Sequence, residues 1–203
     1  MSSKILFSIA LLLGSSACGK VEINVDEELL PFYDNFIKQG QSMGMDLSDH
    51  SITMNFLPEL EAKEPGTTIL GVCTYSKDHV VINRSAWDKM TIDRKEALIN
   101  HELGHCILER DHENLIDSET GKELSLMNAY LLKSKDFKRK YDYYIRELFI
   151  PEDRTTLVSL WGTESIYNSP IAAMISSFYP QNMRSDNLDS PKEEETSEDI
   201  IID

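Results

Sequence analysis

The sequence places two histidines four residues apart in His101-Glu102-Leu103-Gly104-His105, and the residues around them are largely apolar. On an α-helix, side chains four residues apart project from the same face, about one turn from each other. Two such imidazoles can bind one metal ion, whereas burying them without a metal or hydrogen-bond partners costs free energy. Because Leu98, Ile99 and Ile107 indicate a buried helix, the segment predicts a packed helix that carries two metal ligands on one face.

Glu102 directly follows the first histidine, so on a helix it projects about 100° away from His101. From there its carboxylate faces the open side of a bound metal rather than the ion itself. Zinc favours tetrahedral sites with imidazole ligands, lowers the pKa of water and polarises carbonyl groups. The motif therefore predicts one catalytic zinc ion, bound by His101 and His105, with Glu102 as the general base of a hydrolase. The alternative is a surface helix with two solvated histidines, and the apolar neighbours argue against it.

A catalytic zinc ion commonly has three protein ligands and one open position, so a third ligand is needed. Asp111 and His112 follow the helix closely. In a continuous helix His112 would lie about 10 Å along the axis from His105, so the chain must turn before either residue can bind. We prefer His112 as the third ligand because an imidazole is a stronger zinc ligand than a lone carboxylate, and Asp111 is the alternative.

The stretch His-Glu-Leu-Gly-His-Cys-Ile-Leu-Glu-Arg-Asp-His, residues 101–112, resembles the metzincin clan of zinc peptidases. Among these it is most similar to snapalysin-like enzymes, in which an Asp and then a His end the motif. The resemblance implies a zincin-like α+β domain that hydrolyses peptide bonds. The clan's turn glycine falls on Leu108 and its third ligand on Asp111. A turn one residue longer would bring His112 to the metal instead.

The resemblance to metzincins extends to two further features within residues 67–150. Ser125-Leu126-Met127-Asn128 looks like the Met-turn that lies beneath the metal, with Met127 as its methionine. Metzincins also bind the substrate antiparallel to an edge strand, and that strand corresponds here to residues 67–75. A peptide or protein substrate would add a strand to this edge through backbone hydrogen bonds.

Hydrophobic patterning elsewhere predicts an α+β domain with a small mixed sheet packed on the active-site helix and a C-terminal helix. The predicted strands are residues 51–57, 67–75 and 79–83, and the further helices are residues 26–44 and 134–149. We expect Asp93 to be the N-cap of the active-site helix, with Glu96 as its capping-box partner. This helix is predicted to extend to about Leu108.

Residues 1–18 resemble a bacterial lipoprotein signal peptide. Lys4 precedes a short apolar run, and small residues lead into Cys18. At such a site the cysteine is acylated and becomes the new N-terminus. The pattern implies a lipid anchor at Cys18 in the bacterial cell envelope, on the periplasmic side or at the cell surface. Secretion without a lipid is the alternative.

Apart from Cys18, the sequence contains two cysteines, Cys73 and Cys106. In an oxidising compartment disulfide bonds persist, so an exported protein is expected to join them. Such a bond would link a strand to the helix next to His105. Two small buried thiols are the alternative.

Charge and composition suggest how the chain is organised. The formal net charge is −15, which argues against nucleic acid as a partner because no basic surface is available to replace phosphate counterions. Residues 22–150 are interpreted as the zincin-like domain and residues 151–180 as a packed extension. Residues 181–203 are acidic and are predicted to be disordered.

Two other readings of the site remain open. In gluzincin-like peptidases the third zinc ligand is a glutamate on a later helix, and Glu147 is the candidate here. The protein could also be a non-catalytic zinc-binding envelope lipoprotein. The presence of Glu102 argues against this second reading, because a storage site has no use for a carboxylate that does not bind the metal.

Overall fold

The computed structural model describes residues 21–62, 65–152, 157, 160–162 and 199–200. In chain order its elements are β1 (Ile23–Val25), α1 (Leu30–Ser42), β2 (Ile52–Leu57), β3 (Thr68–Ile69), β4 (Gly71–Thr74), a 3₁₀ turn (Tyr75–Lys77), β5 (His79–Asn83), α2 (Arg84–Trp87), α3 (Ile92–Cys106), α4 (Ser134–Arg139), α5 (Tyr141–Phe149) and β6 (Asp199–Ile200). The mixed α+β fold agrees with the prediction. In the described part of the chain, no helix is both long and apolar enough to span a membrane.

The main sheet has four strands in the order β1-β2-β5-β4. The pairs β1–β2 and β2–β5 are parallel, whereas β4 runs antiparallel to β5. Alternate residues on β2 and β5 are buried, with Ile52, Met54, Val80 and Ile82 at most 1% exposed. This period of two places their side chains on one face of the sheet, where the core lies.

The helix with the histidine pair, α3, lies at the centre of the fold and contacts α1, α4, β4 and β5. Every residue of α3 from Glu96 to Cys106 is buried, including both histidines. The helix is therefore packed on all sides along its second half, which explains why its sequence is apolar around polar ligands. A solvated surface helix does not describe this segment.

The predicted start of α3 is wrong in detail. Thr91 is the N-cap and makes no side-chain capping bond, while Asp93 lies inside the first turn. Asp93 is buried and instead accepts a hydrogen bond from the Ser134 hydroxyl on α4. Glu96 accepts hydrogen bonds from the side chains of Asn35 (3.1 Å) and Tyr141 (2.7 Å). Tertiary partners therefore replace the capping box for both acids.

Other predicted elements are present in the structure, most of them with altered boundaries. Helix α1 begins at Leu30, with Pro31 in its first turn, where a proline is tolerated. The predicted strand 67–75 is divided at Leu70, although the Leu70 carbonyl still accepts the Asn83 N–H at 2.9 Å. The predicted helix 134–149 is divided into α4 and α5 at Lys140, which has φ −120° and ψ 27°. The strand predicted at 79–83 has the same bounds in the structure.

Several predictions lie outside the described residues. These include the export signal with Cys18, and most of the extension 151–180 and of the acidic tail 181–203. Within the tail, Asp199 and Ile200 are described as strand β6, which pairs in parallel with Thr68 and Ile69.

Candidate metal centre

Three histidines bring their ring nitrogens together on one side of α3. The ligand atoms of His101, His105 and His112 all lie within 4.8 Å of one another. The Nε2 atom of His101 is 2.9 Å from that of His105 and 3.3 Å from that of His112. Both helix histidines are fully buried, and His112 is half-buried. The three nitrogens form a compact donor set that is suited to bind a metal ion.

Backbone carbonyl groups determine which nitrogen of each helix histidine carries the proton. The His101 Nδ1 atom lies 2.9 Å from the Leu126 carbonyl oxygen, and the His105 Nδ1 atom lies 2.5 Å from the Arg110 carbonyl oxygen. Because a carbonyl oxygen only accepts, both Nδ1 atoms must donate. In a neutral imidazole the Nε2 atom then carries a lone pair, and both lone pairs face the cluster.

The surroundings of His101 keep its imidazole neutral. Burial lowers the pKa of His101 from 6.5 to about 3, and the neighbouring His105 acts in the same direction. A metal ion binds the neutral form of imidazole, so no proton has to be displaced from His101 at neutral pH.

The turn after α3 explains how a third histidine joins the pair. The helix ends at Cys106, and the Arg110 N–H donates to the Gly104 carbonyl at 3.1 Å. Glu109 has a φ of 54°, so the left-handed residue of the turn is one position later than Leu108. The chain then directs His112 to the cluster, while Asp111 is exposed and contributes no atom to it.

Glu102 lies between α3 and the edge strand β4, and it is fully buried. A Cβ atom at Gly71 would lie 2.5 Å from the Glu102 Oε1 atom, so any other residue there would force the carboxylate to shift. Two residues further along β4, Cys73 forms a disulfide bond with Cys106 of α3. The strand and the second half of the helix therefore run side by side in the same direction.

A turn at residues 125–128 packs beneath the histidine pair. The Asn128 N–H lies 3.3 Å from the Ser125 carbonyl, and Met127 is fully buried. A Cβ atom at Gly104 would lie 2.6 Å from the Met127 sulfur, which shows how closely the thioether approaches the helix. The Met127 carbonyl accepts the Glu113 N–H at 2.8 Å, linking this turn to the segment that follows His112.

The structure does not place Glu147 among the metal-binding candidates. Its carboxylate, on α5, accepts hydrogen bonds from the Arg110 side chain (2.6 Å), the Ser125 hydroxyl (2.9 Å) and the Leu126 N–H (3.0 Å). The structure gives no support to the alternative in which Glu147 is the third ligand, because these donors bind the carboxylate and its oxygens are not part of the histidine cluster.

Three residues near the site have roles that sequence reasoning missed. Gly71 accommodates Glu102, the Arg110 carbonyl orients His105, and the Tyr75 hydroxyl lies 2.9 Å from the His105 Nδ1 atom. Gly71 begins the strand that faces the helix, but its role depends on a contact with a residue 31 positions later. Only Arg110, which lies inside the motif, could have been suspected from sequence.

The comparisons with known proteins agree with this geometry at a coarse level. Residues 67–144 match a family model described as "Putative phage metallopeptidase". The matched stretch includes the three histidines, Glu102 and Met127. No curated protein and no solved structure matches the chain. The match supports a protein of the metallopeptidase type, and the three-histidine cluster suggests a bound metal ion.

Proposed function

We propose that this protein is a zinc-dependent peptidase in which His101, His105 and His112 bind the metal ion and Glu102 is the general base. The convergence of three imidazole nitrogens within 4.8 Å carries the proposal. The match of residues 67–144 to a metallopeptidase family model gives independent support for the peptidase class.

The donor set fits a zinc ion. Catalytic zinc sites commonly use three protein ligands, and three neutral imidazoles are a known combination. Both helix histidines donate through Nδ1 to carbonyl oxygens, so their Nε2 atoms are available to a metal. Zinc bound there would act as a Lewis acid, activating a water molecule and polarising the scissile carbonyl group.

Glu102 is the residue that moves the proton. Its carboxylate takes a proton from the attacking water and delivers it to the leaving amine. The position of Glu102 against Gly71 places it between the helix and the edge of the sheet. A peptide lying along β4 would therefore pass close to the carboxylate.

Strand β4 is suited to pair with an extended peptide. The Asn83 N–H donates to the Leu70 carbonyl, so Leu70 and Asn83 form a hydrogen-bonded pair in the antiparallel ladder. Along such a strand, successive residues direct their backbone groups to opposite sides. Gly71 and Cys73 thus direct theirs away from β5, toward the edge where a substrate strand would add. Both residues are buried, so the residues that cover this edge must move before a strand can add there.

A variant of Glu102 tests the proposal against a non-catalytic zinc-binding protein. Glu102→Gln should retain one zinc ion per chain and lose about 10²- to 10⁴-fold in kcat. Glu96→Gln is the matched control, because Glu96 is a buried glutamate on the same helix whose carboxylate contacts Asn35 and Tyr141. Zinc-loaded wild-type protein that cleaves neither casein nor a mixed peptide library would contradict the peptidase proposal.

The cellular location is a separate proposal, since Cys18 precedes the described residues. Lipidation at Cys18 would anchor the domain to a bacterial envelope membrane, and Cys18→Ala should release it into the soluble exported fraction. Mass spectrometry of the mature N-terminus distinguishes lipidation from cleavage alone.

A further inference from the structure

The carbonyl groups that orient the two helix histidines lie in irregular chain segments. The Arg110 carbonyl accepts from His105 and the Leu126 carbonyl accepts from His101, and both residues lie between α3 and α4. A loop carbonyl can fix an imidazole only if the loop itself is held in place. The Arg110 N–H donates to the Gly104 carbonyl and so ties the first segment to α3, but a contact shared by both segments is needed to fix one relative to the other.

Glu147 makes that contact to both segments. Its Oε2 atom accepts the Leu126 N–H at 3.0 Å, and its Oε1 atom accepts from the Arg110 guanidinium at 2.6 Å and from the Ser125 hydroxyl at 2.9 Å. One carboxylate thus bonds to the two residues whose carbonyl groups receive the histidine protons.

The surroundings of this carboxylate make the contacts strong. The side chains of Glu147 and Arg110 are 6% and 9% exposed, so water screens their ion pair little. The other guanidinium nitrogen, Nη1, donates to the Glu147 and Leu148 carbonyls at 2.9 and 3.1 Å, which fixes Arg110 to the end of α5. Both loop segments are therefore anchored to one point on α5.

We infer that Glu147 is a positioning residue for the metal centre, acting through Arg110 and Leu126 to set the orientation and tautomer of His105 and His101. The inference rests on the proposed function of the histidine cluster. It assigns to Glu147 a role different from metal ligation. Groups that orient metal-binding histidines commonly contribute 10- to 100-fold to metal affinity.

The test uses Glu147→Gln in the full chain. The Glu147 carboxylate accepts three hydrogen bonds through two oxygens, whereas a glutamine side chain has only one acceptor oxygen. The first readout is ¹⁵N NMR of the imidazoles in metal-free protein at pH 7.5. Wild type should show protonated Nδ1 on both helix histidines, and Glu147→Gln should show mixed tautomers on at least one. The second readout is zinc affinity by chelator competition, which should fall 10- to 100-fold.

Two further variants separate positioning from general stability. Glu96→Gln removes another buried carboxylate, with hydrogen bonds to Asn35 and Tyr141, and should leave the imidazole signals and zinc affinity as in wild type. If Glu147→Gln does not fold, Glu147→Asp gives the same comparison, since its shorter side chain cannot reach all three donors.

The outcomes distinguish this inference from the proposed function. Wild-type imidazole signals in both Glu147 variants would overturn the inference, as would an equal change in Glu96→Gln. Absence of zinc binding by wild type would overturn the proposed function, and the imidazole signals would still decide the role of Glu147.

Discussion

The disulfide bond between Cys73 and Cys106 should make a large contribution to the stability of the domain. The bond closes a loop with a sequence separation of 33 residues that includes β5, α2 and α3. In the chain-entropy treatment, a loop of this length restricts the unfolded state by about 3.7 kcal/mol at 25 °C. Replacing both cysteines by alanine should lower the free energy of unfolding by roughly this amount.

The effect can be expressed as a melting temperature. Unfolding entropy is about 2.1 cal/mol/K per residue, so the melting temperature of a domain of about 130 residues should fall by about 14 °C for 3.7 kcal/mol. The assay is thermal unfolding followed by circular dichroism in the presence of a chelator, so that zinc does not contribute. Oxidised wild type, reduced wild type and Cys73→Ala/Cys106→Ala are compared.

The expected pattern is that reduced wild type and the double variant melt at similar temperatures, well below oxidised wild type. A difference of less than about 3 °C between oxidised wild type and the double variant would refute the reasoning. It would mean either that the bond does not form or that the unfolded chain is not restricted by it.

Three other predictions follow from the geometry around α3. Gly71→Ala places a Cβ atom 2.5 Å from the Glu102 carboxylate and should displace it. We therefore expect kcat to fall at least about 10-fold while the zinc content is unchanged. An unchanged kcat would argue against the tight contact. Glu109→Gly should raise the free energy of unfolding by up to about 1 kcal/mol in urea titrations, because Glu109 has a φ of 54°; a clear loss of stability would count against this. The pKa of His101 falls from 6.5 to about 3 on folding, so below pH 6.5 the unfolded state binds a proton that the folded state does not. Chelated wild type should therefore lose stability as the pH falls from 6.5 toward 3, by about 2 kcal/mol at pH 5, and by more than His101→Gln; equal losses in the two proteins would contradict the assignment.

The elements that sequence predicted well are those with a strong local pattern. The strand His79–Asn83 was predicted with its observed bounds because a run rich in Val and Ile has the composition of a buried strand. The packed character of α3 followed from apolar residues surrounding the histidine pair. The apolar residues around the pair predict that both histidines are buried, and the four-residue spacing predicts that they share one face of the helix; both histidines are fully buried.

The features that sequence did not predict depend on partners far along the chain. Asp93 has the residue type of an N-cap, but its partner is Ser134, which is 41 residues away. Glu147 has the residue type of a zinc ligand, yet three donors from the 107–133 segment hold it elsewhere. The local sequence cannot show whether such a side chain will make the contact typical of its residue type or bind a distant partner, because burial and tertiary hydrogen bonds determine which contact forms.

The choice between His112 and Asp111 illustrates the limit at the site itself. It depends on which residue of the turn adopts the left-handed conformation, and the structure assigns this to Glu109. A non-glycine residue in that conformation is uncommon. Because the sequence has no glycine to mark the turn, the left-handed position could not be predicted. The exposed position of Asp111 follows from the same shift of one residue.

Metal analysis of the purified chain tests the central claim most directly. Wild type, His112→Ala and Asp111→Ala are supplemented with zinc, dialysed and measured by inductively coupled plasma mass spectrometry. Wild type and Asp111→Ala should each retain one zinc ion per chain, and His112→Ala should lose stoichiometric zinc. Absence of zinc from wild type, or full retention by His112→Ala, would contradict a centre formed by His101, His105 and His112.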